Sequence, residues 1–296
     1  MLTAMNGSGI VLFISMCVIW GIPYFLIRIA VGEISPAMLV FARTAIGALI
    51  LMPIVVARGG LRGIGRKLLP ILAFAVAEIG VPWICLSNAE QHISSSLAGI
   101  LVSCVPLVGI AIAPLFGNRE EIGPLGMGGL VLGLVGVAAI VGLDFHSSDV
   151  TALVEMALVV IGYAFGPAIV KRYLAGVPSM TVTAISLTAA AIAYAPLAAT
   201  HWPHALPSTG VLLSVGVLAV VCTAVAFLLF FALIERIGPV RATVITYINP
   251  AVAAVVGVSI LHETFTLGMG IGFVLVLVGS VLATRRKKPA KAPDTA

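Results

Sequence analysis

Residues 93–136 are written twice. The stretch begins as a small-residue apolar run, ISSSLAGILVSCVPLVGIAIAPLF, turns at Asn118 to Glu121, and returns through a glycine ladder, GPLGMGGLVLGLVG. Residues 240–279, VRATVITYINPAVAAVVGVSILHETFTLGMGIGFVLVLVG, repeat that order. Pro106 and Pro250 are 144 apart; Glu120 and Glu263, Gly129 and Gly272, and Gly136 and Gly279 are 143 apart. A spacing of 144 also pairs Pro23 with Pro167, Arg28 with Arg172 and Ser35 with Ser179. The chain is a duplicated unit, so any fold must accommodate one module in two copies.

Lipid is the solvent this sequence is written for. Hydrophobic residues make up 61% and charged ones 9%, with a mean hydropathy of +1.21. A soluble domain carries roughly 25% charged residues to face water. A bilayer core needs about 20 apolar residues per helix. Ten segments meet that: 10–31, 36–57, 68–89, 93–116, 122–143, 150–174, 180–200, 210–234, 240–261 and 267–284. The expected fold is an all-α integral membrane protein with ten transmembrane helices. Residues 1–146 form the first five-helix repeat, 147–284 the second, and 285–296 a basic tail. The first segment has no basic n-region and carries Trp20 and Arg28, so it reads as a retained span and not a cleaved signal. The net charge of +5 is scattered over short connections without interleaved aromatics, which argues against nucleic acid. Cys17, Cys85, Cys104 and Cys222 lie inside apolar runs and read as small buried hydrophobes, not disulfides or metal ligands.

Basic residues set the orientation. With the N-terminus inside, 14 of the 16 Lys and Arg fall on inner connections or the tail, and only Arg28 and Arg43 fall toward the outer side. Both termini are therefore expected in the cytoplasm of a multi-pass protein of the inner (plasma) membrane. Five spans per repeat is an odd number, so the second repeat enters the bilayer upside down. Such inverted repeats frame a midplane site in secondary transporters.

At these residues the chain resembles the EamA-type family of the drug/metabolite transporter superfamily. The resemblance is carried by Trp20 and Gly21 in WGIPYFLIR, Phe41 and Arg43 in FARTAIGAL, Pro106 and Pro250, and the glycine ladders after Glu120 and Glu263. It covers nearly the whole chain and is unspecific for substrate. It implies ten helices, cytoplasmic termini, a central cavity and, most often, export of small metabolites such as amino acids. One departure is His262 before Glu263, where the family usually places glycine; a slightly different turn is expected.

Glu78 is the leading candidate for chemistry. It lies about ten residues into the third segment, roughly 15 Å deep at ~1.5 Å per residue. An ionised carboxylate at such depth costs at least about 2.5–3.5 kcal/mol. Arg43 lies roughly 12 Å below the outer face on the second segment, a comparable depth in a core about 30 Å thick. Two readings stay open. In one, Glu78 and Arg43 form a structural ion pair. In the other, Glu78 lines a cavity, where desolvation favours its neutral form and it binds a proton or a substrate ammonium.

Ser96, Gly99, Ser103 and Pro106 share one face of the fourth segment; Thr243, Tyr247 and Pro250 form the counterpart on the ninth, with Asn249 beside them. Ser103, Tyr247 and Asn249 are expected to line the cavity, while Gly99 and Thr243 pack. Pro106 and Pro250 each remove a backbone donor and free a carbonyl one turn earlier, so they are candidate kinks for gating. Pro23 and Pro167 are the other candidate pair. Trp20, Tyr163 and Trp83, with Tyr24, offer flat walls to a small-molecule site, or simply core. Trp202 reads as an interfacial anchor. Arg28 is expected to reach the outer interface toward Glu33, and Lys171, Arg172, Arg236 and Arg241 the inner one. Glu155, Glu90 and His92 are minor candidates for gating or proton roles. Glycines 129, 133, 268 and 272 permit close helix contact, within one molecule or between two.

The expected function is that of a secondary transporter moving small organic metabolites, amino acids or drug-like amphipathic compounds, by alternating access. The direction, outward, is implied by the resemblance alone. No P-loop is present, so drive falls to protons, exchange or the solute gradient. A proton-independent facilitator or exchanger is the alternative, followed by a non-transporting receptor or lipid-handling protein. An enzyme is not expected: HExxH, GxSxG and paired midplane aspartates are all missing. No cofactor or metal is called for. The expected partners are a small-molecule substrate and the bilayer, with protons as a candidate coupling ion and the oligomeric state left open.

Overall fold

The computed structural model describes residues 7–117, 123–144, 150–203, 205–237, 242 and 244–284. The expected repeat boundary at 146/147, the tail 285–296, Arg119, Glu120, Arg241 and Thr243 lie outside them. No strand occurs among the described residues. The helices are α1 Gly7–Ile19, α2 Pro23–Ala30, α3 Pro36–Ala57, α4 Leu68–Phe74, α5 Val81–Ala89, α6 Ser95–Val102 and α7 Val105–Ile112. They continue with α8 Pro124–Asp144, α9 Val150–Tyr173, α10 Ser179–Thr200, α11 Thr209–Ala219, α12 Ala226–Ile237, α13 Ile245–Leu261 and α14 Leu267–Ala283. Among the described residues, seven helical stretches, some of them interrupted, are long and apolar enough to cross a membrane: 8–30, 36–57, 64–89, 95–116, 150–173, 179–200 and 209–237. Three shorter apolar helices accompany them, within α8, α13 and α14. Leu49, Leu69 and Leu267 expose three-quarters or more of their surface, which suits a lipid-facing exterior.

Polar residues mark where helices start. Hydroxyls of Ser35, Ser94, Ser208 and Thr266 accept from Met38 N, Leu97 N, Val211 N and Met269 N at 3.1–3.4 Å, occupying donors that helix starts leave free. These four caps belong to the end of the bundle that carries connections 31–35, 90–94, 201–208 and 262–266. His262 ends α13 at φ 55°, the one non-glycine in the left-handed region among the described residues. That is the position glycine occupies most cheaply, which accounts for the departure seen in the sequence.

The repeated prolines behave differently in the two halves. Pro23 and Pro106 each open a new helix, after breaks at residues 20–22 and 103–104. Pro167 and Pro250 lie inside continuous helices. The first half therefore carries the breaks expected of a kink, and its partner prolines do not. Wide π-type turns interrupt two further spans, at Ala75–Gly80 and Val220–Val225, in register with the repeat.

Helices of the two halves pack on one another: α3 on α10, α6 on α13, α8 on α14, α5 on α9 and α11 on α2. The glycine ladder is an intramolecular seam. A Cβ added at Gly129 would lie 2.6–2.8 Å from Ala283 N, Gly279 O and Leu282 Cβ, and one at Gly279 would lie 2.6 Å from Gly129 O.

Candidate solute site

The polar residues that hydropathy makes improbable converge on one cluster between the halves. Arg43, buried on α3, donates from Nε to Thr223 Oγ1 at 2.9 Å. Thr223 sits in the second π-type turn and donates in turn to Leu218 O at 2.8 Å. The Arg43 guanidinium carbon lies 3.6 Å from the centre of the Trp83 ring, a close cation–π contact. The Trp83 indole donates to the Tyr163 hydroxyl on α9, and Tyr163 lies within electrostatic reach of Glu78. Tyr24, buried on α2, faces Tyr163, Glu90 and Arg43 and rests its ring against Gly99.

Glu78 occupies the first π-type turn. Its residue is half-buried, but Oε2 is fully enclosed and makes no hydrogen bond among the described residues. Among the described residues no ion pair joins it to Arg43, whose contacts are Thr223 and Trp83. Equal depth, as estimated from sequence, says nothing about rotation around the helix axis. The carboxyl fits against α9 because Gly166 leaves room; a Cβ there would overlap Oε2. Gly162, one turn earlier, similarly admits the carbonyl of Ala77 and the ring of Pro82. This Gly-xxx-Gly pair in GYAFG is a sequence signal the reading above missed. Thr223 was missed too, although it falls within one residue of the repeat equivalent of Glu78.

The remaining site candidates make other contacts. Trp20 packs at 4.7 Å on Phe230 and edge-on at 5.8 Å to Phe227, forming a wall between the first span and α12. Asn249, with its amide nitrogen facing inward, donates to Ile245 O at 2.9 Å and Cys17 O at 3.2 Å, so it satisfies a carbonyl beside the break in the first span. Ser103 turns its hydroxyl back onto Ile100 O at 2.5 Å. Tyr247 is half-buried on α13. A shallow hollow of ≈ 550 Å³ lies elsewhere, at the capped end, between Glu33, Thr200, Trp202 and Leu206.

That end also holds the acidic side chains. Glu33 accepts from Ser208 N at 2.7 Å, and the Ser208 hydroxyl, with that backbone N–H, holds its exposed carboxyl below the usual range. The sequence sends Arg28 toward Glu33, but among the described residues no ion pair joins them; Arg28 turns inward and donates to the backbone carbonyl of Glu90. Glu263 reaches across from the 262–266 connection to the start of α6. Its two oxygens accept from Ser95 N at 2.8 Å, Ser96 N at 2.9 Å and Ser96 Oγ at 2.6 Å. Burial pushes the Glu263 carboxyl up, but the Ser96 and Ser95 donors outweigh it and hold the group below its ordinary value. Glu155 bonds to the Asn88 side chain near His92.

An all-helical, lipid-facing bundle with a buried cation, a carboxyl and three aromatic rings at the seam of two repeated halves is a multi-pass membrane protein of the transporter class. The comparisons name the family. The EamA-like transporter family model matches residues 7–142 and again 151–285, and the chain belongs to that family. It is similar to the uncharacterized inner membrane transporter YedA of Escherichia coli K12, with 29% identity covering 94% of this chain and 93% of that one. An uncharacterized transporter of Archaeoglobus fulgidus is 25% identical, over 90% of this chain and 95% of its own. A solved crystal structure shares the fold with a TM-score of 0.65, at 20% identity over 94% of this chain and 98% of that one.

Proposed function

We propose that the protein is a secondary transporter that moves a small organic solute by alternating access between two inverted five-helix halves. The reading is supported by the packing pattern. α3 on α10, α6 on α13 and α8 on α14 join repeat equivalents, while α5 on α9 and α11 on α2 exchange when the halves are swapped. A two-fold axis in the membrane plane produces that pattern, with ten crossings and both termini in the cytoplasm. The observation that carries the proposal is the Arg43–Thr223 bond over Trp83. It ties a cation of one half to the other half at the seam where a solute would be exposed alternately to each side.

In this reading Arg43, Trp83, Tyr163 and Glu78 line the solute site, with Tyr24 as a further wall. Trp20, Ser103, Tyr247 and Asn249 belong to the adjoining first–fourth–ninth face. The breaks before Pro23 and Pro106 supply the moving joints. Aromatic walls with few charges suit amino acids or amphipathic drug-like compounds, exported across the inner membrane without a catalytic step.

Counterflow of a labelled metabolite panel in proteoliposomes tests the proposal. Flux that depends on a pH gradient in the native protein, and loses that dependence in Glu78→Gln, assigns Glu78 as the proton carrier. Flux indifferent to the gradient in both makes the protein a facilitator or exchanger. No flux of any solute favours a receptor or lipid-handling role and removes the proposal.

A further inference from the structure

Glu90 follows α5 directly, at the capped end of the bundle, and no part of it reaches solvent. Among the described residues neither carboxyl oxygen has a hydrogen-bond partner. The Arg28 guanidinium beside it is committed to the Glu90 backbone carbonyl and not to the side chain. The charged and titratable groups facing it are Glu263, Arg28 and Arg43, together with the phenols of Tyr24 and Tyr163. An ionised carboxylate with no donor and no water is strongly disfavoured, and the nearby Glu263 carboxylate adds repulsion.

Glu263 itself is anchored. Its three bonds to Ser95 and Ser96 clasp the 262–266 connection of the second half onto the start of α6 in the first. The clasp closes because residue 257 is glycine: a Cβ there would overlap Glu263 Oε2 and Ser96 Oγ and come within 2.9 Å of Ser95 Oγ. The left-handed His262 aims Glu263 into place.

We propose that Glu90 is a proton-binding site, distinct from Glu78, and that the Glu263 clasp is the door that closes it. With the clasp shut, the Glu90 carboxylic acid keeps its proton. When the connection lifts from α6, water reaches the group, the O–H bond breaks, and the proton leaves to the side that the capped end faces. Reclosure requires one proton to be taken up. The link to solute movement rests on the transporter reading; the proton site does not.

Infrared difference spectroscopy on the full-length protein in lipid, native against Glu90→Gln, isolates the protonated-carboxyl stretch of Glu90 without any solute. The native band should be present at neutral pH, above the ordinary carboxyl range. Gly257→Ala wedges the clasp while keeping every charge, and should lower the midpoint by about one pH unit or more as water enters. Ser96→Ala removes one donor and adds nothing, and should shift it the same way if Gly257→Ala fails to fold. A Glu90 band missing at neutral pH overturns the site, and a midpoint unmoved by both clasp variants overturns the door. Absence of transport would leave this titration readable, and so would any outcome at Glu78.

Discussion

Replacing Thr223 by valine tests the join between the halves while keeping the branched shape. The hydroxyl is used twice, accepting from Arg43 Nε at 2.9 Å and donating to Leu218 O at 2.8 Å. A hydrogen bond to a charged group is worth about 1.5–3 kcal/mol and an orphaned buried carbonyl about 1 kcal/mol more. The loss should total about 2–4 kcal/mol, because Arg43 and Thr223 are both buried and water cannot easily replace the partner. At about 2 °C per kcal/mol for a large domain, the apparent melting temperature should fall by about 4–8 °C. Melting followed by tryptophan emission in detergent reads this, and also reports on Trp83 as the guanidinium above it loosens. Thr223→Ser keeps both bonds and should stay within about 1 kcal/mol of the native protein. Valine and serine variants of equal stability, with unchanged emission, would refute the claim that this bond ties the halves together.

Gly166→Ala places a methyl group where Glu78 Oε2 now lies. The carboxyl is the flexible end of its side chain, so counterflow should lose gradient dependence while the melting temperature changes by less than the Thr223→Val shift. Gly279→Val sets its Cβ 2.6 Å from Gly129 O and Gly133 N, forcing α8 and α14 apart at a cost of about 1–3 kcal/mol, visible as an earlier melt. His262→Gly relieves a left-handed side chain and should raise stability by about 0.5–1 kcal/mol, with the Glu263 clasp intact. Glu263 has a folded pKa below its unfolded one. Its stabilisation is therefore fully present above the unfolded value of about 4.3 and fades as pH falls through the lower folded value. The melting difference between native protein and Glu263→Gln should follow that course.

Membrane physics made the helices legible and left their rotations hidden. Lipid demands a fixed apolar length, so the segments read from hydropathy begin and end within a few residues of the observed helices, from 36–57 to 267–283. Depth along the membrane normal follows from the same counting, which sets Glu78 and Arg43 at comparable levels. Azimuth is not legible. The π-type turn at Ala75–Gly80 holds an extra residue, so every side chain beyond it points where α-helical counting does not expect. Glu78, inside that turn, faces Gly166, while Arg43 on α3 faces Thr223, 180 residues away. The repeat misled in one respect and informed in another. It made Pro23 equivalent to Pro167 and Pro106 to Pro250, yet only the first-half members end a helix. A proline merely removes one donor; whether the chain breaks depends on what satisfies the freed carbonyl. At the first-span break Asn249 serves Cys17 O, and Gly21 lets α13 approach, its Cβ position lying 2.5 Å from Val252. Symmetry of sequence thus sets which helices meet, and the unrepeated residues, Gly21, Gly166 and Glu78 among them, decide which half bends and which holds the carboxyl.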